Sequence, residues 1–271
     1  MKQLDKISSY VSEIKKRGRI VFSYAEITEN FPKLSRSATK SALNRLVKKE
    51  QILSAWKGFY LIISSEYALR GIVPPELYID DLMKFLGRSY YIGLLSAASF
   101  YGSAHQQPQQ FFVVNTFPAL RDTTKKDLCI NFITTRKKIP DILLHNFKTR
   151  TGYIQVSSAE LTVADLITHS KEVGGFNRAI TTINDLVESL NFNKITADFF
   201  EYVPLATIQR LGYLFDNIIE LPKLANILWN KTQKFGHKFQ TIPLRRGKKS
   251  LNSPIDDKWK IIINEQLQLD E

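Results

Sequence analysis

Basic and short polar side chains recur at helical spacing in the segment RSATKSALNRLVKK, which begins at Arg36. Residues separated by three, four, seven and eleven positions lie on one face of an α-helix. The residues with this spacing are Ser37, Lys40, Ser41, Asn44 and Lys48. Asparagine can pair with adenine, and lysine with guanine or a phosphate, while Arg36 and Arg45 suit phosphate contacts. The pattern predicts a helix face that binds double-stranded nucleic acid.

An ordinary solvated helix face is the alternative interpretation of this segment. A surface that only keeps a protein in solution mixes positive and negative charges, and this segment carries no acidic residue, so we favour nucleic-acid binding. A hairpin turn follows, in which Lys57 suits a phosphate contact, whereas Trp56 could stack on a sugar or belong to the core. A second basic cluster, LRRGKKS at 244–250, could contact nucleic acid or form a solvated loop.

The positive charge of the chain is concentrated near its start. The net charge is +12, and residues 1–65 hold 13 Lys and Arg against 5 Asp and Glu, whereas residues 66–271 hold 25 against 21. A concentrated basic surface favours a polyanion, such as nucleic acid or an anionic membrane face. A generally basic protein would be the plainer explanation. No apolar run is long enough to span a bilayer, so we expect a soluble cytoplasmic protein.

Residues that could perform catalysis or bind a metal are scattered. The four histidines, His105, His145, His169 and His237, show no ligand spacing, so we expect no zinc site and no other metal or cofactor. The sequence YGSAHQQ at 101–107 begins like a nucleotidyltransferase site, but the following strand FFVVNTF lacks the paired carboxylates that would hold Mg²⁺. We therefore predict no catalytic residues. The single cysteine excludes an internal disulfide and is expected to be a small buried core residue.

The elements that would position the basic face lie in residues 4–63. A first amphipathic helix ends before Gly18, and Ser23 with Glu26 forms a capping box for a second. Ser35 suits the N-cap of the third helix, whose apolar stripe would be Ala38, Ala42, Leu43, Leu46 and Val47. A hairpin with a Lys-Gly turn then follows. This order predicts a winged helix-turn-helix, in which the third helix enters a DNA groove and the wing lies against the backbone.

The remaining chain predicts an α+β fold with strands early and helices late. The VPP sequence at 73–75 is the best boundary, so we expect a winged helix-turn-helix domain at 1–68 and a mixed α/β C-terminal domain at 75–271. Helices are predicted at 76–87 and 89–101, and strands at 110–117, at 128–134 and as a pair around Gly152. From Ser157, which with Glu160 suits a capping box, the pattern is helical to the late 230s.

Three motifs of the second part resemble a known family. They are YYIGLLSAASFYGSAHQQPQQFFVV from Tyr90, VSSAELTVADLI from Val156 with a Gly pair after it, and YVPLATIQRLGYLFD from Tyr202. Together with the basic N-terminal part they resemble the AbiEi-type antitoxins of type IV toxin–antitoxin systems, which are linked to abortive phage infection. The similarity extends from Lys2 to about Phe239.

The resemblance implies a function for each part. In that family the N-terminal domain binds inverted repeats in the promoter of its own operon and represses it, and the C-terminal domain is required for antitoxin action. The partner toxin is a nucleotidyltransferase-like protein from the adjacent gene. By resemblance, the residues that would contact DNA are Arg36, Lys40, Asn44, Arg45, Lys48 and Lys57.

Three classes of function remain. The first is a DNA-binding repressor and antitoxin without chemistry of its own, and the second is a nucleotidyltransferase-related enzyme with a DNA-binding extension. The missing carboxylate pair favours the first. In a third class, the winged helix would bind protein, which the basic charge argues against. The sequence leaves open whether the toxin is bound directly.

Overall fold

The computed structural model describes residues 3–68, 72–103, 110–125 and 128–267. Helices and strands both contribute to it, and within the second part, residues 72–267, most strands come before Ala159 and most α-helices begin there or later, as the predicted α+β class requires. His105 lies outside the described residues.

Residues 3–62 form three helices and a three-stranded antiparallel sheet. The elements are α1 (Gln3–Lys16), β1 (Val21–Ser23), α2 (Tyr24–Asn30), α3 (Arg36–Lys48), β2 (Ile52–Trp56) and β3 (Phe59–Ile62), with the strand order β1-β3-β2. The helices and the β2–β3 hairpin follow the predicted order. Strand β1 was not predicted, because three residues are too few to show a period. A short helix α4 (Ser65–Ala68) follows.

The N-terminal helices begin where the sequence predicts. The Ser23 hydroxyl accepts a hydrogen bond from the Glu26 amide at 3.0 Å, and the Ser35 hydroxyl accepts one from the Ala38 amide at 3.2 Å. Each contact satisfies an amide that has no partner within the helix. The buried side of α3 packs on α1 and the hairpin, and it consists of Thr39, Ala42, Leu43 and Leu46. Of the predicted stripe, Ala38 and Val47 are only partly buried.

A six-stranded mixed sheet forms the centre of the second part, in the order β6-β7-β5-β4-β9-β8. The strands are β4 (Tyr90–Ile92), β5 (Gln110–Thr116), β6 (Thr123–Lys125), β7 (Leu128–Thr135), β8 (Leu144–Lys148) and β9 (Tyr153–Ser157). Strands β8 and β9 form the predicted antiparallel pair around Gly152.

Helices cover both faces of this sheet. They are α5 (Ile79–Leu86), α6 (Leu94–Phe100), α7 (Ala159–Thr168), α8 (Phe176–Asp185), α9 (Ala197–Tyr202), α10 (Leu205–Asn217) and α11 (Pro222–Lys234). Short 3-10 helices occur at Pro75–Leu77, Asp141–Leu143, Val187–Ser189 and Phe192–Lys194. The later helices pack on the face that presents Tyr91, Phe112 and Val114.

Three predictions for this part are wrong in detail. The predicted helix at 89–101 begins only at Leu94, because residues 90–92 form the central strand β4. The N-cap of α7 is Ser158, which accepts from the Leu161 amide at 3.2 Å, while the hydroxyl oxygen of Ser157 lies 2.6 Å from that of Thr162. Cys129 is on strand β7 as expected but is partly exposed rather than buried.

The β2–β3 hairpin shares a hydrophobic core with the six-stranded sheet. Phe59 and Leu61 are buried in one cluster with side chains of α5, β4, β5, β7 and β9. The Phe59 ring lies 5.3 Å from that of Phe85 on α5, and the Trp56 ring meets Phe132 on β7 edge to face at 5.9 Å. Trp56 is partly buried against this cluster, which supports the core interpretation of this residue. The N-terminal part is seated on the sheet rather than held by a loose linker.

The end of the described chain packs against α10. Short strands β10 (Ile242–Pro243), β11 (Ile255–Asp256) and β12 (Ile261–Ile262) form a small sheet in the order β10-β12-β11. The fully buried Trp259 lies directly over Gly212 of α10, where an added Cβ atom would meet the indole at 2.1 Å. Only glycine allows this contact.

We expect Phe59→Ala to destabilise the whole chain. Truncating a buried phenylalanine typically costs about 3–5 kcal/mol, and Phe59 is 3% exposed in the core shared by both parts. Urea unfolding followed by circular dichroism should show one transition at a lower midpoint. Leu251→Ala, at a residue that is 88% exposed, should leave the midpoint unchanged. A second transition, in which the later helices keep the stability of the unmodified chain, would contradict the shared core.

Candidate nucleic-acid interface

Helix α3 presents the predicted basic face to solvent. Its exposed residues include all seven positions selected from the sequence, namely Arg36, Ser37, Lys40, Ser41, Asn44, Arg45 and Lys48. The same helix buries its opposite face in the N-terminal core, so the polar face is held in a fixed orientation. The seven residues therefore lie on one convex ridge of 13 residues, roughly 20 Å long at 1.5 Å per residue.

The cations of this ridge are not neutralised within the described part of the chain. None of Arg36, Lys40, Arg45 and Lys48 forms an ion pair with a described residue, whereas Arg17 pairs with Glu13 on α1 and Arg19 with Glu26 at 2.7 Å. Paired cations create little external field, while unpaired ones on one face attract a polyanion. The electrostatics of α3 thus match those of a surface that contacts phosphates.

Lys57 occupies a different place from the other predicted residues. It is exposed in the two-residue turn Lys57-Gly58 between β2 and β3. The second residue of this turn, Gly58, lies close to Tyr24 and to Phe85 of α5. Strand β2, which leads from α3 to this turn, has five residues and is roughly 16 Å long at the rise of a strand. The turn is therefore supported by the second part of the chain.

A buried carboxyl group forms a second polar cluster, which sequence reasoning missed. Asp165 on α7 is 6% exposed, and the Tyr91 hydroxyl donates a hydrogen bond to its Oδ2 at 3.0 Å. The Tyr202 hydroxyl lies 3.4 Å from that of Tyr91. These three side chains and His169 line a cavity of about 230 Å³. A lone acid within the apolar sequence LTVADLIT was the available signal, since an acid is rarely buried without a partner.

Burial sets the protonation behaviour of this cluster. Burial raises the pKa of Asp165 to about 7, although the hydrogen bond from Tyr91 opposes the shift. It also raises the pKa of Tyr91 and of Tyr202, and it lowers the pKa of His169. The cause is the same throughout, because an apolar surrounding disfavours the charged form of each group.

Comparison with known proteins gives the identity of the second part. Residues 91–217, just under half of the chain, match the family model described as the AbiEi antitoxin C-terminal domain. This region is similar to the C-terminal domain of AbiEi antitoxins. The resemblance stated from the three sequence motifs is therefore confirmed for it. No curated protein matches the chain.

The fold of nearly the whole chain is also found in a solved structure. The crystal structure of the RV2827C protein from Mycobacterium tuberculosis matches with a TM-score of 0.65 and 16% sequence identity, covering 94% of this chain and 89% of that one. At this identity the likeness concerns the fold alone. It supports the mixed α+β architecture and extends beyond the AbiEi region at both ends.

The AbiEi region brings its three motifs together at the buried carboxyl group. Tyr91 comes from the first motif, Asp165 from the second and Tyr202 from the third, and these side chains meet around one cavity. The cluster links the centre of the sheet to the helices above it. We assign it a role in holding the AbiEi fold.

Among the residues that the structure describes, no group of three or more His, Cys, Asp or Glu side chains is arranged to hold a metal ion. The described histidines lie apart, His145 on β8, His169 at the end of α7 and His237 after α11. Within the same residues, no helix is long and apolar enough to cross a membrane.

The Asp165 carboxyl should make stability fall as pH rises from about 4 to 7. In this window the folded chain holds a proton, because the pKa is raised to about 7, while the unfolded chain, with an ordinary pKa of about 3.9, does not. The free energy of unfolding then decreases by on the order of 1 kcal/mol per pH unit. Asp165→Asn keeps the shape of the side chain but removes the titratable proton. This substitution should therefore remove the decrease in the free energy of unfolding. Urea midpoints measured across the window test it.

Asp257→Asn is the matched control, since the Asp257 side chain is 97% exposed and the same substitution there should leave the pH dependence unchanged. Titration of His169 is common to all three proteins and cancels in the comparison. A decrease in stability that persists in Asp165→Asn would show that another group causes it.

Proposed function

We propose that the chain is a DNA-binding transcriptional repressor and the antitoxin of a type IV toxin–antitoxin system, which represses its own operon and counteracts a nucleotidyltransferase-like toxin. The observation that carries the proposal is the presence of a match to the AbiEi antitoxin C-terminal domain on the same chain as the basic ridge of α3, whose cations form no ion pair with a described residue. The antitoxin acts without catalysis of its own. Residues 1–68 form the DNA-binding domain, and residues 75–271 form the antitoxin domain.

The arrangement of residues 3–62 supports a winged helix-turn-helix. Helices α2 and α3 are separated by five residues, and α3 leads directly into a short antiparallel hairpin joined by β1. In proteins of this type the second helix of the motif lies in the major groove. Here that helix is α3, so Lys40 and Asn44 would face base edges, and Arg36, Arg45 and Lys48 would contact phosphates.

The operator expected for this chain is an inverted repeat, which calls for two copies of the protein. Two-fold symmetric half-sites are bound by two recognition helices one helical turn of DNA apart, or a multiple of it. Lys57 in the hairpin turn would add a phosphate contact beside the groove. Since the hairpin is seated on the sheet, the antitoxin domain then has a fixed orientation relative to each half-site.

Replacing Lys40 and Arg45 together with Glu should abolish specific operator binding. Both side chains are exposed and outside the core, so folding should be unaffected. Each lost phosphate or base contact costs on the order of 1–3 kcal/mol, which predicts at least about thirtyfold weaker binding for the pair. Fluorescence anisotropy with a duplex carrying the operon promoter measures it. For the unmodified protein, log K should fall linearly with log salt concentration.

A charge-matched control separates the effect of the α3 site on DNA binding from the effect of the net charge. Lys223→Glu with Lys238→Glu removes the same charge from exposed positions of the second part and should change binding by less than about threefold, mostly through long-range electrostatics. Equal losses in the two double variants would show that α3 is not the recognition helix.

Antitoxicity should survive the Lys40→Glu, Arg45→Glu substitutions. The Asp165 cluster and the AbiEi region are untouched by them, and the protein supplied from an unrelated promoter does not depend on its own operator. Growth of cells that express the toxin measures rescue, and a promoter reporter in the same cells measures repression. A folded, abundant variant that fails in both assays would show that DNA binding is part of neutralisation.

A further inference from the structure

The first turn of α8, one side of α10 and the basic loop after β10 enclose a second cavity. Its volume is about 330 Å³, within the range of about 300–1,000 Å³ found for small-molecule sites. Lys171, Arg210 and Arg246 line it, and so do the apolar residues Phe176 and Pro204. Neither its position nor its charge is used by the proposed repressor and antitoxin functions.

Arg210 is the central cation of this cavity. It is 7% exposed, and its Nε and Nη2 atoms donate to the carbonyl oxygens of Leu244 and Pro243 at 2.8 and 2.7 Å. Its Nη1 atom donates to Ala206 at 3.2 Å. All three acceptors are neutral backbone groups, and within the described part of the chain no carboxylate pairs with this arginine. A buried charge without a counter-ion is costly, so an anion in the cavity would stabilise it.

A second positively charged side chain, Arg246, lies near Arg210 in this cavity. Burial, and then the positive charge of Arg246, lower the pKa of Arg210 to about 10, so Arg210 remains charged at neutral pH. Two cations near Arg246 in the loop form ion pairs. Arg245 and Lys248 both pair with Glu265, at 2.5 and 2.8 Å. Arg245 and Lys248 thus share one carboxylate, whereas Arg246 lines the cavity without an ion pair to a described residue.

The start of α8 adds positive potential. The helix has ten residues, no side-chain cap at Gly175 and no acid in its first turn, which contains Arg178 instead. The free amides and the macrodipole of a helix N-terminus attract anions. Among the described lining residues the only acid is Glu172, which is exposed. The cavity is therefore strongly cationic with an apolar side.

We propose that this cavity binds a small phosphate ester of the nucleotide type. Arg210, Arg246 and Lys171 hold the phosphate, together with the amides at the start of α8, and Phe176 and Pro204 provide an apolar surface for the rest of the ligand. Arginine suits this role because its planar group donates two parallel hydrogen bonds to a phosphate. The basic loop at 244–250 then serves a bound ligand instead of being only a solvated loop.

Calorimetric titration of the full-length protein at constant ionic strength tests the proposal. The probes are inorganic phosphate, adenosine 5′-monophosphate, adenosine, and a short DNA duplex of unrelated sequence. Saturable binding of the monophosphate with Kd below about 1 mM is expected, with weaker binding of inorganic phosphate and none of adenosine. If neither phosphate compound binds, if adenosine binds as well as its monophosphate, or if only the duplex binds, the proposal is wrong.

Two exposed residues of the same loop give the matched variants. Arg246→Ala should weaken binding of the monophosphate about tenfold, because a charge-assisted contact is lost, whereas Lys249→Ala, outside the lining, should weaken it less than about twofold. Equal losses would indicate attraction to general charge and would overturn the site. The Lys40→Glu, Arg45→Glu variant should bind the monophosphate normally, so failure of operator binding and failure of this site are distinguishable.

Discussion

The apolar contact between the β2–β3 hairpin and the six-stranded sheet determines how the two parts of this chain work together. Phe59 and Leu61 are buried in a cluster that also contains the strands of the AbiEi region. A core shared in this way is lost as a unit, so the orientation of α3 relative to the sheet is fixed in the folded chain. The ridge that would bind an operator therefore has a fixed orientation relative to the antitoxin domain, which a flexible linker would not provide.

The sheet can perform this role because both of its faces are covered. Alternate residues of the central strands point to opposite sides, so that Tyr90 and Ile92 meet α5 and the hairpin cluster, while Tyr91 points to the later helices. The buried carboxyl of Asp165, on that side, accepts a hydrogen bond from Tyr91. Burying a group whose charged form is disfavoured costs stability, and the cost is limited because the group binds a proton near neutral pH.

Local signals in the sequence were sufficient for the three N-terminal helices and for the exposed face of α3. Caps at Ser23 and Ser35 and the period of α3 depend on neighbours within a turn, and the structure has them where predicted. The strand at Tyr90–Ile92 was mistaken for helix, because a short run buried on both faces carries no period. Asp165 and Arg210 were missed for a related reason, since their partners are distant in sequence and come together only in the fold.

The distribution of ion pairs separates the cations that build the fold from those left for a ligand. Arg19, Arg245 and Lys248 are paired with carboxylates and hold neighbouring segments together. The remaining clusters differ in shape. The ridge of α3 is convex and can follow a groove over several base pairs, whereas Arg210 and Arg246 line a concave space. A phosphate group would pair with the cations of either cluster. A convex ridge, however, favours an extended duplex, whereas an enclosed cavity favours a single small group. One basic chain would thus distinguish the two proposed phosphate ligands by geometry alone.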